Sequence, residues 1–184
     1  MRDRGGRRRS ERGDDRVRHK AAEMRAREQH GRGHAFTRHR DAAPRELDRR
    51  VVQGMTAEGG SGRHRVDHAT RFLTDTALLR TTDAIWDSPG LRRSIEQQKK
   101  LRDTGRIKPE EMRISGTVRL KDALGVGWRG MVDGRSRASG AGTRTTRFPD
   151  DALAYAQWRR SADDRWYLHT CYPIATRERT TPAS

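Results

Sequence analysis

The chain has 184 residues, of which 31% are hydrophobic and 36% charged, against about 45–50% and 25% in ordinary globular proteins, so one small core is expected with part of the chain outside it. Lys and Arg total 41 against 25 acids, a net charge of +16, which points to polyanionic partners. The single Cys171 excludes an intrachain disulfide framework, and no apolar run approaches the roughly 18 residues of a membrane span.

Only five of the 41 basic residues are lysines. Guanidinium grips phosphate in bidentate fashion, so this share suits nucleic acid, although a GC-rich genome would also replace lysine with arginine. The start of the chain lacks the 7–15 residue apolar stretch of a secretory signal. The expected location is the cytoplasm, or a target-cell cytoplasm reached on a carrier outside this chain.

Residues 1–32 repeat Arg, Gly, Asp and Glu, with Val17 and Met24 almost the only large apolar side chains. Such a segment cannot bury enough surface to offset its ordering entropy, so it is expected to be disordered, or transiently helical from Lys20 to Gln29. From Pro44 a short helix is expected over about 44–53, with Leu47 and Val51 one turn apart and Gly54 after it. A small strand carries Phe72, and a helix starts near Asp75 with Leu78, Leu79, Thr82, Ile85 and Trp86 on its inner side, stopped by Pro89-Gly90. Leu91, Ile95, Gln98 and Leu101 then give a third helix that ends at Gly105.

After Pro109 the apolar period changes to two, through Met112, Ile114, Gly116, Val118 and Leu120, which is a strand. Trp128 to Val132 is expected as a further strand, and Gly134 to Arg147 as a mobile loop. Leu153–Arg160 and Arg165–Tyr172, joined through Ser161-Ala162-Asp163-Asp164, form a hairpin, and residues 177–184 a disordered tail. Helices first and antiparallel strands second predict an α+β domain over 33–176, with the N-terminal helices packed on a C-terminal sheet.

Chemistry-bearing residues gather at the two ends of that domain. Cleaving RNA without a metal takes a base for the 2′-hydroxyl, an acid for the leaving 5′-oxygen, and donors around the phosphorus. Histidine fits the first two tasks, and arginine with Thr and Tyr hydroxyls fits the third. His34 and His39 lie five residues apart, upstream of Arg50 in the first helix, and Thr170 and Tyr172 share one face of the last strand. In a regular strand Trp166 and Leu168 share that face too, and His169 points away from it, which leaves it a reserve candidate for a second acid or base. Plainer readings stand beside these: solvated surface histidines, an arginine paired to Glu46 one turn away, and a strand face packed against the helices. His64 and His68 are four apart, but no further Cys or Glu completes a metal site, and Gly125-Val126-Gly127 has no βαβ unit around it, so neither metal nor cofactor is expected.

Taken in order, Gly33-His34 through His39, Glu46-Leu47-Asp48-Arg49-Arg50-Val51, Ala69-Thr70-Arg71-Phe72-Leu73-Thr74-Asp75 and Thr170-Cys171-Tyr172-Pro173 resemble the bacterial RNase A-like toxin domain of contact-dependent growth inhibition proteins. The closing Thr-x-Tyr-Pro is the most specific of the four motifs. The resemblance implies an RNase A-like fold without disulfides and a metal-independent ribonuclease that leaves a 2′,3′-cyclic phosphate. It also implies a site of His39, Arg50, Thr170 and Tyr172 with His34, a cognate acidic immunity protein as partner, and action as a monomer. Two departures are Arg40, where the family shows a small apolar residue, and a longer, Arg-rich region from Gly125 to Phe148. The alternative is a non-catalytic Arg-rich nucleic-acid-binding protein. Deletion of residues 1–32 is expected to separate the two, since an enzyme should keep its turnover and a tail-driven binder should lose affinity.

Overall fold

The structure is a computed structural model that describes residues 5–56, 59, 66–140 and 142–175, with side chains from Gly13 onward. The expected tail over 177–184 and His64 lie outside the described residues. The order is α1 (Gly5–Gln29), α2 (Ala35–His39), α3 (Pro44–Gln53), β1 (His68–Phe72), α4 (Asp75–Trp86), α5 (Pro89–Asp103), β2 (Arg113–Arg119), α6 (Leu120–Leu124), β3 (Val132–Arg137), β4 (Thr143–Thr145), β5 (Leu153–Arg160) and β6 (Trp166–Pro173). Helices and two antiparallel three-stranded sheets, with one cysteine and no disulfide, make an α+β fold.

Helix starts follow local chemistry. Pro44 opens α3 while the Glu46 carboxylate accepts from the Ala43 N–H, and Gly54 closes the helix in the left-handed region at φ 74°. Thr74 Oγ1 caps α4 by accepting from Ala77 N at 3.1 Å, and Ser88 Oγ caps α5 by accepting from Leu91 N at 3.2 Å. Pro89-Gly90, expected as a break, is the first turn of α5 as well as the end of α4.

The sheets run in the orders β1-β3-β4 and β2-β5-β6. The main core lies between the second sheet and α4 and α5. Ile85 and Leu91 pack over Gly116, where an added Cβ would come within 2.8 Å of Ile85 Cγ2, and Trp86 packs on Trp158 with ring centroids 5.3 Å apart. A satellite cluster of Ala42, Leu47, Val51 and Ala69 joins α3 to β1. A buried bond ties the two sheets, from Thr70 Oγ1 to the Pro173 carbonyl at 2.5 Å.

Three expectations are corrected. First, the expected disorder over 1–32 gives way to helix from Gly5 to Gln29, with Ala21 1% exposed and Val17 and Met24 packed on the core. Some of its charges are tied to the rest of the fold: Lys20 bonds Asp83 at 2.6 Å, and the Arg25 guanidinium bridges Asp41 and Asp75 at 2.7–2.9 Å over the Phe36 ring. Second, Trp128–Met131 is a 3₁₀ turn, and the strand begins only at Val132. Third, the loop expected over Gly134–Arg147 holds β3 and β4, with Ser136 and Thr146 buried. Small side chains let this segment lie close under α3, where Asp48 accepts from Thr143 Oγ1 at 2.5 Å and pairs with Arg135 at 3.3 Å.

Candidate active site

A β-bulge in the last hairpin shapes the site. Gln157 pairs with Thr170 but Trp158 pairs with Leu168, so His169 is the extra residue on β6. Alternation therefore breaks at His169. Leu168 and Trp158 keep to the core side with Ala156 and Cys171, while Thr170 and Tyr172 stand with Gln157 and Tyr155 on the other face. This corrects the expectation that Thr170 and Tyr172 share a face with Trp166 and Leu168, and that His169 points away: the bulge turns His169 into the same cavity.

The chain opposite the bulge is pressed against it. Gly33 has φ +97°, and a Cβ there would overlap the Leu168 carbonyl oxygen and lie 3.0 Å from that of His169. Only glycine fits so close a passage. The next residue, His34, donates its backbone N–H to the His169 carbonyl at 2.8 Å, and the two imidazoles meet edge to face at 4.7 Å. Glu28 of α1 then fixes the start of α2, accepting from Phe36 N at 2.7 Å, Thr37 N at 2.9 Å and Thr37 Oγ1 at 2.8 Å.

His39, at the end of α2, has its Nδ1 at 3.2 Å from the Thr70 carbonyl oxygen. A carbonyl only accepts, so in the neutral ring Nδ1 carries the proton and Nε2 the lone pair. The His39 ring lies 5.1 Å from that of Tyr172 and 6.0 Å from that of His34, and Tyr172 in turn lies 5.4 Å from Tyr155. Thr70 serves both sides of the site, orienting His39 through its carbonyl and holding the end of β6 through its hydroxyl.

One cavity of about 720 Å³ is lined by all five residues expected from sequence, His34, His39, Arg50, Thr170 and Tyr172. Arg38, His68, Tyr155, Gln157 and His169 line it as well. The charged lining is balanced, Arg38 and Arg50 against Glu46, which accepts from the Ala43 N–H, and Asp67, which lies 3.6 Å from the Arg137 guanidinium, with four histidines among them. Arg40, the family departure after His39, is not in the wall; it pairs with Asp75 at 2.8 Å.

Two polar atoms of the site are buried with no hydrogen-bond partner among the described residues, Thr170 Oγ1 and His169 Nδ1. An unmet buried donor or acceptor costs roughly 1–3 kcal/mol, which makes such atoms ready to receive a ligand. Burial first, and then the charges of Arg159, Arg38 and Arg113, push the His169 imidazole down to about 4, so it is neutral at pH 7. Cys171 sits on the core face, where burial pushes its thiol up and keeps it inert.

His68, Tyr155 and Gln157 were not among the residues expected to form the site, and His169 was only a reserve candidate for a second acid or base. Tyr155 and Gln157 come opposite Tyr172 and Thr170 only through the bulge, since the register of Arg160 with Trp166 carried on unbroken would set them opposite Cys171 and His169. Neither their place nor that of His169 was legible, because a bulge leaves no mark in the residue pattern. His68, whose Nδ1 is 2.8 Å from Ser136 Oγ, owes its place to the β1-β3 pairing in a segment expected as loop.

Searches against family models, curated proteins and solved structures found no match to this chain. Among the described residues no cluster of three His, Cys, Asp or Glu side chains is arranged to hold a metal ion, and no helix is long and apolar enough to cross a membrane.

Proposed function

We propose that the protein is a metal-independent endoribonuclease that cuts RNA by attack of the 2′-hydroxyl, leaving a 2′,3′-cyclic phosphate and a free 5′-hydroxyl. The observation that carries this reading is the meeting of His34, His39, Arg50, Thr170 and Tyr172, from three separate parts of the chain, around one cavity.

The chemistry follows from the donor set. His39 Nε2, made the basic nitrogen by the Nδ1 bond to Thr70, takes the 2′-hydroxyl proton as the 2′-oxygen bonds to phosphorus. His34, protonated, gives its proton to the departing 5′-oxygen as the P–O5′ bond breaks. Arg50 neutralises the charge that builds on the phosphoryl oxygens, and the Thr170 and Tyr172 hydroxyls donate to the same oxygens. Two imidazoles cover the acid and base roles, so no step calls for a metal.

The resemblance to RNase A-like toxin domains belongs to this proposal. So do a cognate acidic immunity protein, which would complement a cavity rich in arginine and histidine, action as a monomer, and delivery into a target-cell cytoplasm. The decisive experiment is incubation of the purified protein with total RNA in EDTA, followed by end-group analysis. Cleavage with cyclic phosphate ends, lost in His39→Ala and Tyr172→Phe, is the expected result. Intact RNA, or cleavage indifferent to both substitutions, rejects the assignment, and tight salt-sensitive binding with intact product would favour a non-catalytic binder.

A further inference from the structure

Past the cavity, the same face of the β2-β5-β6 sheet continues toward the other end of its strands. The register sets Tyr155 beside Tyr172, then Gln157 between Ser115 and Thr170, then Arg159 directly opposite Arg113. The tyrosines, Gln157 and Thr170 line the cavity, and the arginine pair lies just outside it, one strand repeat further on.

Like charges directly opposite on neighbouring strands repel and destabilise a sheet. Here nothing compensates: neither Arg113 nor Arg159 forms an ion pair with a carboxylate among the described residues, and Arg159 Nε is buried with no hydrogen-bond partner. The contrast with Arg160 is direct, for it faces the other way and pairs with Asp164 at 2.7 Å. A local conflict of this kind beside a ligand cavity points to a group supplied from outside.

We propose that Arg113 and Arg159 form a second phosphate subsite, which grips the phosphate next to the one held in the cavity and makes the substrate a single RNA strand with at least two successive phosphates. The inference rests on the ribonuclease reading of the cavity. Two residues along a strand advance about 6.8 Å, a step on the scale of successive phosphates in an extended single strand. Paired guanidiniums match the fork geometry of a phosphate, and a bound anion would remove their mutual repulsion. The depressed imidazole of His169 is a second sign of the same field, since Arg159, Arg38 and Arg113 all bear on it after burial itself.

The test compares wild type with Arg113→Gln/Arg159→Gln on two substrates, a dinucleoside monophosphate and a tetranucleotide, by kcat/KM, together with binding of an uncleavable 2′-deoxy single strand across a salt series. The double variant should lose roughly tenfold of the preference for the tetranucleotide over the dinucleotide. Its log K against log salt should flatten by about 0.7, one phosphate contact on a single strand. Relief of the repulsion should leave its Tm no lower than wild type, and the single Arg113→Gln, on an exposed residue, serves as the second variant if the double one unfolds. An unchanged preference and salt slope overturn the subsite while leaving the ribonuclease standing. Pair-dependent binding without any cleavage rejects the ribonuclease and keeps the anion subsite. Equal, pair-dependent capture of polyglutamate of matched charge assigns the arginines to an acidic protein and overturns the RNA subsite.

Discussion

The His34 backbone N–H bonds the His169 carbonyl at 2.8 Å, stitching the start of α2 to the bulge of the last strand. That stitch needs Gly33, with φ +97° and two carbonyl oxygens where a Cβ would stand. Gly33→Ala should therefore cost about 1–3 kcal/mol in denaturant unfolding and lower RNA cleavage by separating His34 from β6. Gly31→Ala is the control, since Gly31 also has a positive φ, of +75°, but open space around its Cα. Equal losses in both variants would show that backbone strain alone, and not the close approach, is what Gly33 relieves.

The roles given to His39 and Tyr172 differ in size and in pH behaviour. Removing a general base costs typically 10²–10⁴-fold, so His39→Ala should lower kcat by about that much and remove one limb of the pH–rate profile. Tyr172→Phe keeps the ring that packs 5.1 Å from His39 but deletes the donor, so roughly 10²-fold is expected in kcat with the profile preserved. Single-turnover cleavage of a short RNA across pH 5–8 separates the two.

Residues 1–32 change meaning once α1 is seen to cap α2 through Glu28 and to lock Arg25 between Asp41 and Asp75. Their deletion now tests the scaffold rather than a tail, and should abolish cleavage along with cooperative unfolding. Glu28→Gln is the finer probe. It keeps one acceptor oxygen, so either Phe36 N or Thr37 N loses its acceptor to a facing NH2, at a cost of about 1–3 kcal/mol by thermal melting. A fully active and equally stable 33–184 fragment would contradict the structural role of α1.

What was legible in the sequence shared a physical trait: periodicity or cap chemistry within a few residues. Pro44 marks a helix start, and the alternation of Leu153–Arg160 marks a strand, both without reference to distant chain. The failures were non-local. The charges of α1 find partners 8 to 63 positions away, at Phe36, Asp75 and Asp83, so composition misread them as solvated. β3 and β4 bury small side chains under α3, with no large apolar residue to signal it beyond Val132. The five expected site residues followed from motif order, while the position of His169 depended on a register shift visible only once the strands were paired.

Stability should fall on the acid side in two stages. The His169 imidazole, held at about 4 against its ordinary 6.5, takes up a proton in the unfolded chain before it does so in the folded one. Its contribution is thus complete above about pH 6.5 and is lost as pH falls toward 4. Asp75 is held below the usual carboxylate range, first by its hydrogen bonds to Arg25, so its share is present above that range and disappears as pH falls below it. Urea midpoints measured from pH 7 to pH 3 should show both slopes. His169→Gln should flatten the upper one alone, and a slope unchanged in that variant would assign the upper stage to another histidine.

Thr70 offers the sharpest separation of architecture from chemistry. Its hydroxyl donates to the Pro173 carbonyl at 2.5 Å across the junction of the two sheets, while its own carbonyl accepts from His39. Thr70→Val keeps the shape, the strand and the carbonyl, and removes only the hydroxyl, leaving the buried Pro173 oxygen without that donor at a cost of about 1–3 kcal/mol. Because β6 carries Thr170 and Tyr172 while β1 orients His39, the two halves of the site should lose their registration as well. Cleavage is then expected to fall even at temperatures where the variant is fully folded, with KM raised more than kcat is lowered, since phosphate positioning suffers before proton transfer. Full activity in a folded Thr70→Val protein would show that the sheets hold their spacing without this bond.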